Sequence, residues 1–301
     1  VKLFLFLLIG LLLGPSALGW RFPTEVSSLV AVCSNLFLFV AGLELSLKKT
    51  REPFSKAVKL SFGAFLPPFI VGLLMAFFLI TDGNGQPLAM NTAIFIAIAL
   101  SVSALPVAIQ ILKDLGLYES EMGRLIVSAA TLCDIIAWVA FAFLLPSEGI
   151  GPWLQSHISV IFFFLGLIVS DTRFGQPRLR GYLVQASKWV FGPVFFISIG
   201  WKLNLWQNLH LTQILIVMIV ACTTKFVGSY FAAKKIGYSH KRSTLIGLAL
   251  NSRGAVEIII ASLALKQNLI DQTLFATLVI MAVVTSLLPE PLTHIWKLKE
   301  E

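Results

Sequence analysis

Ten apolar runs, each about long enough to cross a hydrocarbon layer, follow one another along the chain at about 3–18, 26–46, 57–80, 90–112, 124–145, 153–170, 182–203, 211–233, 243–265 and 273–296. A spanning helix needs about 20 mostly apolar residues, so the pattern predicts ten membrane helices. The segments between them are short and rich in charge, Gly or Pro, and none could hold a separate soluble domain. The pattern therefore predicts an all-α polytopic membrane protein with a single transmembrane domain over 1–301.

Ten helices divide into halves of five, 1–145 and 153–296. An odd number in each half makes the second half enter the membrane inverted relative to the first, a recurrent transporter architecture with its site at the midplane where broken helices meet. The fourth run contains SVSALP, Ser101 to Pro106. Pro106 has no N–H, so the Val102 carbonyl loses its helical partner, and Leu105 is biased away from helical dihedrals. The ninth run, five later, contains NSRGAVE, Asn251 to Glu257, where polar residues and Gly254 weaken the helix at the matching depth. A single Pro or Gly in a membrane helix is often a simple kink; a matched pair points to two broken helices.

Composition supports the membrane reading. Of the 301 residues 57% are hydrophobic and 13% charged, with a mean hydropathy of +0.88, too little polar surface to cover a soluble globule. The net charge of +8 would suggest nucleic acid in a soluble protein, but these basic residues lie in short loops and report topology. One side of the predicted membrane collects Lys2, Lys48, Lys49, Arg51, Lys56, Lys59, Lys113, Arg124, Arg173, Arg178, Arg180, Lys188, Lys234, Lys235, Lys241, Arg242, Lys297 and Lys299; the other has Arg21, Lys202 and Lys266. The rich side is expected to be cytoplasmic with both termini there, as for a bacterial inner membrane. Trp20, Trp153, Trp201, Trp206 and Trp296 fall near predicted helix ends, where amphipathic rings prefer to sit. Cys33, Cys133 and Cys222 lie inside apolar runs and form neither a disulfide framework nor a zinc pattern. No cleavable signal stands out, and the chain starts at Val1 directly in an apolar run, as expected if an N-terminal piece is missing. No HExxH or Gly-rich phosphate motif occurs, so no cofactor is expected.

Four ionisable residues lie deep in the runs: Asp134, Lys225, Arg253 and Glu257. Asp134 sits near the middle of 124–145, where an acid costs about 2.5–3.5 kcal/mol to insert. A buried hydrogen bond that only joins helices would be made more cheaply by Ser or Asn, so ion binding is the favoured reason for the acid. Lys225 is too deep to reach the interface and needs a carboxylate, a carbonyl or a helix C-terminus nearby. Arg253 and Glu257, four apart on one face, can pair, either as a structural clamp at the break or as part of the site.

Several stretches together carry a family resemblance: LLLGPSALG at 11–19, LFLFVAGLELSL at 36–47, ALSVSALPVAIQILKDLGL at 99–117, CDIIAW around Asp134, PVFFISIGWKLNL at 193–205, Lys225 with Gly228, and GLALNSRGAVEIIIASLAL at 247–265. In this order they resemble the monovalent cation:proton antiporter-2 family of Kef-type, NhaA-like sodium or potassium/proton exchangers. The resemblance implies an NhaA-like fold, in which a core with two crossing broken helices moves against a panel that forms a homodimer contact. It also implies Na⁺ or K⁺ and H⁺ as substrates.

By the same resemblance Asp134 is the carboxylate that binds cation or proton, and Lys225 is the buried basic residue that pairs with or competes at the site. Ser101, Ser103 and Asn251 stand at the break points as further cation-site residues, with Pro106 and Gly254 as the breaking residues. Glu257 matches an acid found after the second break in part of the family, with Arg253 as its charge partner. Cys133 departs from the pattern, occupying the first position of an acidic pair where Asp or Asn is usual. The chain is also shortened, with only 146–152 connecting the fifth and sixth helices where such antiporters have a further helix pair.

The leading expectation is a secondary transporter that exchanges Na⁺ or K⁺ for protons by alternating access. Helices 3, 4, 5, 8, 9 and 10 would be the moving core and helices 1, 2, 6 and 7 the panel. With Cys133 beside it, Asp134 alone would exchange one cation for one proton, an electroneutral cycle, whereas a Lys225 that also released a proton each cycle would make it two protons per cation and electrogenic. A sodium-coupled organic anion symporter could use the same architecture but would need further polar contacts. A non-transporting remnant of an antiporter is a third reading, given the missing helices. An intramembrane aspartyl protease needs two catalytic carboxylates, for which Asp134 and Glu257 are the available residues.

Overall fold

The computed structural model describes residues 2–20, 22–45, 54–145, 149–170, 172 and 177–287. Every predicted run contains helix. In chain order these are α1 (Lys2–Leu13), α2 (Ser27–Glu44), α3 (Phe54–Phe78), α4 (Met90–Ser101), α5 (Leu105–Asp114), α6 (Glu121–Leu144), α7 (Ile150–Ser170), α8 (Pro177–Ala186), α9 (Gly192–Lys202), the short α10 (Leu205–Asn208), α11 (Leu211–Lys235), α12 (His240–Leu250), α13 (Ala255–Lys266) and α14 (Gln272–Leu287). A π-helical turn, Ser187–Phe191, joins α8 to α9 within one span. Among the described residues β-structure is limited to an isolated bridge between Thr81 and Pro87.

Among the described residues seven helices are long and apolar enough to cross a membrane, α4 with α5 counting as one, and the bent pair α12 with α13 makes an eighth. The first and last runs give shorter apolar helices, Phe4–Leu13 and Gln272–Ser286. The expected helix over 3–18 stops early because Pro15 cannot donate and disfavours helical dihedrals at Gly14; 14–18 form a turn instead. Residues 288–296 of the last run lie outside the described residues, as do Lys48, Lys49, Arg51, Arg173, Lys297, Lys299 and Trp296.

The chain forms two compact units, Val1–Lys48 with Leu145–Leu209, and Lys49–Leu144 with His210–Glu301. Each takes helices from both halves. The first contains the helices expected for a panel and the second those expected for a core.

In the first unit α2 packs on α7 and α1 on α9. Lipid provides no hydrophobic drive between helices, so close backbone approach at small residues does the holding. At Gly42 an added Cβ would fall on the Phe163 carbonyl oxygen, and at Gly166 on that of Phe39. Gly10 and Gly200 repeat this reciprocal arrangement against the carbonyls of Ile197 and Leu7. Polar ties add register: Ser159 Oγ donates to Asn35 Oδ1 at 2.8 Å, Ser16 Oγ to the Leu203 carbonyl at 2.7 Å, and Trp206 Nε1 to the Ser16 carbonyl at 2.6 Å.

In the second unit α3 and α11 cross at Gly63 and Gly228, where a Cβ on Gly228 would strike the Gly63 carbonyl oxygen. Around that crossing α3 packs on α4 and α6, and α11 on α12 and α14. Exchanging the halves maps each of these contacts onto another, as an inverted repeat requires. The sequence repeats too: Ile96 to Ser101 reads IAIALS where Ile246 to Asn251 reads IGLALN. Both stretches end at a break, 102–104 between α4 and α5 and 251–254 between α12 and α13, the latter bent by 40°.

Candidate functional site

The two breaks lie against each other. Ala104 N–H donates to the Ser252 carbonyl at 2.9 Å, Ser252 Oγ to the Ala104 carbonyl at 3.4 Å, and Ser103 Oγ to the Leu250 carbonyl at 3.4 Å. A Cβ on Gly254 would come within 2.9 Å of Ala104 Cβ, so glycine is needed for the approach rather than for its dihedrals, which are extended. Pro106 plays a milder part than its sequence position implied. It is the second residue of α5, where a missing N–H costs nothing, and the extended backbone falls upstream at Val102 and Ala104.

Breaking a helix inside a membrane strands its last carbonyls away from water. At α4 two cations take them. Lys225 Nζ donates to the Val102 carbonyl at 2.7 Å and to the Ser101 carbonyl. Arg253 Nη1 donates to Ala99 at 3.1 Å and Nη2 to Leu100 at 2.5 Å. Four successive carbonyls, 99 to 102, are thus held by two positive side chains at the negative end of a helix dipole. The need that Lys225 showed in the sequence is met by a helix C-terminus.

Asp134 projects from α6 into this region and is 2% exposed; Lys225 and Arg253 are 0% and Glu257 1% exposed. The charge nearest to influencing Asp134 is Lys225, and the backbone amide of Ser103 faces it. Its Oδ1 has no hydrogen-bond partner among the described residues. A buried acceptor left unpaired costs about 1–3 kcal/mol, more when charged, so the fold holds a carboxylate oxygen open at the junction of the breaks.

Arg253 and Glu257 form the expected pair, Nη1 to Oε1 at 3.0 Å. Glu257 stands in the first turn of α13, whose dipole favours an acid. Cys133 is fully buried with Sγ 3.5 Å from the Ser61 carbonyl, and it neighbours Lys225, Asp134 and the Ser103 side chain. Ser101 Oγ donates to the carbonyls of Ala97 at 2.8 Å and Phe65 at 3.1 Å, tying α4 to α3. Asn251 follows the end of α12, and its Oδ1 is buried without a partner among the described residues.

The structure thus gathers Asp134, Cys133, Ser103, Lys225, Ser101, Arg253, Asn251, Glu257, Pro106 and Gly254 at one junction. Sequence reasoning missed Ser252 and Ser286, whose hydroxyls bind the Ala104 carbonyl at 3.4 Å and the Arg253 carbonyl at 2.5 Å. It also missed Cys222, which lies beside Asn251, Arg253 and Glu257. Ser252 is inside the quoted break motif, whereas Ser286 and Cys222 carry no local signal.

The profile of the transmembrane sodium/hydrogen exchanger family matches residues 2–161 and 141–295. The chain belongs to the sodium/hydrogen exchanger family. It is a transporter rather than an enzyme, an integral multi-pass membrane protein of the monovalent cation:proton antiporter group. It is 24% identical over 354 residues to the Na(+)/H(+)-K(+) antiporter GerN of Bacillus cereus, covering 95% of this chain and 87% of that protein. It is 25% identical over 350 residues to a Na(+)/H(+) antiporter of Enterococcus hirae, covering 94% and 88%. Among solved structures, the sodium proton antiporter MjNhaP1 from Methanocaldococcus jannaschii superposes with a TM-score of 0.61 at 13% identity, over 95% of this chain and 88% of that one. This exchanger shares that fold. The two family matches meet at 141–161, and the alignments are longer than the chain's 301 residues. Both agree with a shortened connection between the halves.

Proposed function

We propose that the chain exchanges Na⁺ or K⁺ for protons at Asp134 by alternating access. The observation that carries this reading is the open Oδ1 of a buried carboxylate at the paired helix breaks. A carboxylate oxygen can take a proton or an alkali cation, and it cannot hold both. Competition at one atom couples the two fluxes. The cations of the protein, Lys225 and Arg253, are engaged by the carbonyls of α4 and do not occupy that oxygen. Asp134, the two breaks and Lys225 all belong to one compact unit, so that unit can carry the site from one side to the other as a body. Cys133, Ser101, Ser103 and Asn251 complete the surroundings of the cation.

The reading extends to architecture. The halves 1–145 and 153–296 act as inverted repeats of one transmembrane domain, and the positive bias of alternate loops supports a cytoplasmic side for both termini. The chain then works in a bacterial inner membrane, as a homodimer. The open carboxylate also speaks against the remnant reading, since a carrier that no longer bound ions would gain stability by closing it.

Purified protein in sealed vesicles with a preset pH gradient tests the function. Adding Na⁺ or K⁺ outside should dissipate the gradient, and a dose series in each ion ranks them. Vesicles inert to both ions would leave the remnant reading standing, and dissipation that required Na⁺ plus an organic anion would favour the symporter.

A further inference from the structure

The one-for-one cycle counts Asp134 as the single group that changes its proton. A second buried carboxylate shares its neighbourhood. Lys225 feels both Asp134 and Glu257. Glu257 is 1% exposed, and its two oxygens are in different situations: Oε1 accepts from Arg253 at 3.0 Å, while Oε2 has no partner among the described residues. Arg253 does not close a two-pronged grip on the carboxylate. Its Nη1 is shared with the Ala99 carbonyl, its Nη2 is turned to Leu100, and its Nε is unpaired. The guanidinium is therefore fixed by α4, and it cannot swing to cover Oε2 without releasing carbonyls in the middle of the membrane.

Two more features point to a mobile occupant. Asn251 Oδ1 is likewise buried and without a partner among the described residues, and Asn251 and Glu257 both bear electrostatically on Cys222, one turn before Lys225 on α11. Cys222 and Asn251 are only partly buried, whereas Glu257, Arg253 and Lys225 are fully buried. The charged and titratable groups that bear on Glu257 are Arg253, Lys225 and Cys222. α4 and α14, the other helices packed on α13, contribute no ionisable side chain among the described residues. An alkali cation needs several oxygens in place of its water shell, more than these two; a proton needs one.

We propose that Glu257, with Asn251 and Cys222 beside it, is a second proton-carrying site of the exchanger, so that each cation is exchanged for two protons. The inference rests on the exchange reading above. Water on one side gives a proton to Oε2, forming an O–H bond; water on the other side takes it back. No other bond changes. Two positive charges then cross against one, so a cycle that Asp134 alone would keep neutral moves one net charge.

The test records current and proton flux together from reconstituted full-length chain on a supported membrane after a jump in Na⁺ or K⁺. The expected result is a current in the direction of proton movement, opposite to the cation. Glu257→Gln should halve the protons moved per cation, from two to one, and abolish that current, while Glu257→Asp should keep it. Wild-type proton flux without net current would overturn the second site and leave exchange at Asp134 intact. So would a current that survives Glu257→Gln but is lost in Lys225→Arg, which would make the lysine the carrier. Absence of any cation-driven proton flux would sink both readings together.

Discussion

Arg253 Nη2 reaches from the second break to the Leu100 carbonyl in the first, at 2.5 Å. Its positional counterpart in the repeat, Ser103, reaches back from the first break to the Leu250 carbonyl at 3.4 Å. The repeat is thus symmetric in where its polar side chains point and asymmetric in their charge. α4 ends on two cations, whereas α12 ends on a hydroxyl and on backbone amides, those of Asn251 to Gly247 and Ser252 to Ala249. Of the two acids with an unpartnered oxygen, Asp134 belongs to the half whose broken helix carries the positive caps and Glu257 to the other.

That arrangement predicts the cost of removing a cap. Lys225→Met fills similar volume but strands the carbonyls of Ser101 and Val102, at about 1–3 kcal/mol each. Purified Lys225→Met should be less stable to heat in detergent by about 2–5 kcal/mol, and Lys225→Arg should recover most of the loss. Equal stability of Lys225→Met and wild type would show that the caps are not needed.

The crossing of α3 and α11 predicts a steric effect. Gly228→Val puts branched carbon onto the Gly63 carbonyl and the Pro67 ring. Overpacking of this kind costs about 1–3 kcal/mol, and here it should separate the two helices at the centre of the site-bearing unit. Thermal unfolding and elution profile should both worsen for Gly228→Val, with a smaller effect for Gly228→Ala.

Orientation gives a chemical prediction. Single cysteines placed at Asn84 and Ser239, in an otherwise cysteine-free background, should react with an impermeant maleimide only from outside at 84 and only from inside at 239. The reverse pattern would invert the proposed topology.

Competition at one carboxylate fixes the sign of the pH dependence. Protons and cation exclude each other at Asp134, so acidification should raise the apparent KM for the cation, approaching about tenfold per pH unit once the group is mostly protonated. Alkalinisation should lower KM to a plateau. A KM independent of pH across the active range would contradict a shared atom.

Much of this was legible in the chain. The apolar runs located the helices, because a membrane span must bury its backbone internally and leaves a long uniform signal. The breaks were legible because Pro106 and Gly254, with Asn251 to Arg253, disturb two runs at matching depth. Less visible was how the broken ends are satisfied. Lys225 called for a carboxylate, a carbonyl or a helix C-terminus, and its hydrogen bonds go to the Ser101 and Val102 carbonyls, a choice among the three that backbone acceptors do not mark on a sequence. Pro106 marked the right neighbourhood but not the broken residues, since a proline begins a helix as readily as it ends one. Gly63 with Gly228 and Gly42 with Gly166 were hidden as pairs, because reciprocal close approach depends on which helices meet. Pro67 and Pro68 lie inside a continuous α3, which shows that proline alone does not locate a break.

The central claim, that Asp134 is the atom-level meeting point of cation and proton, is tested most directly by Asp134→Asn in the vesicle assay. The amide keeps the shape of the carboxylate but replaces one acceptor oxygen with an NH2 donor and carries neither charge nor a titratable proton. The variant should insert, elute and unfold like the wild type or more stably, because a buried charge has been removed, while cation-driven proton flux falls by about 100-fold or more, toward the rate of empty vesicles. A folded Asp134→Asn protein that still exchanged cations for protons at near wild-type rate would contradict the account.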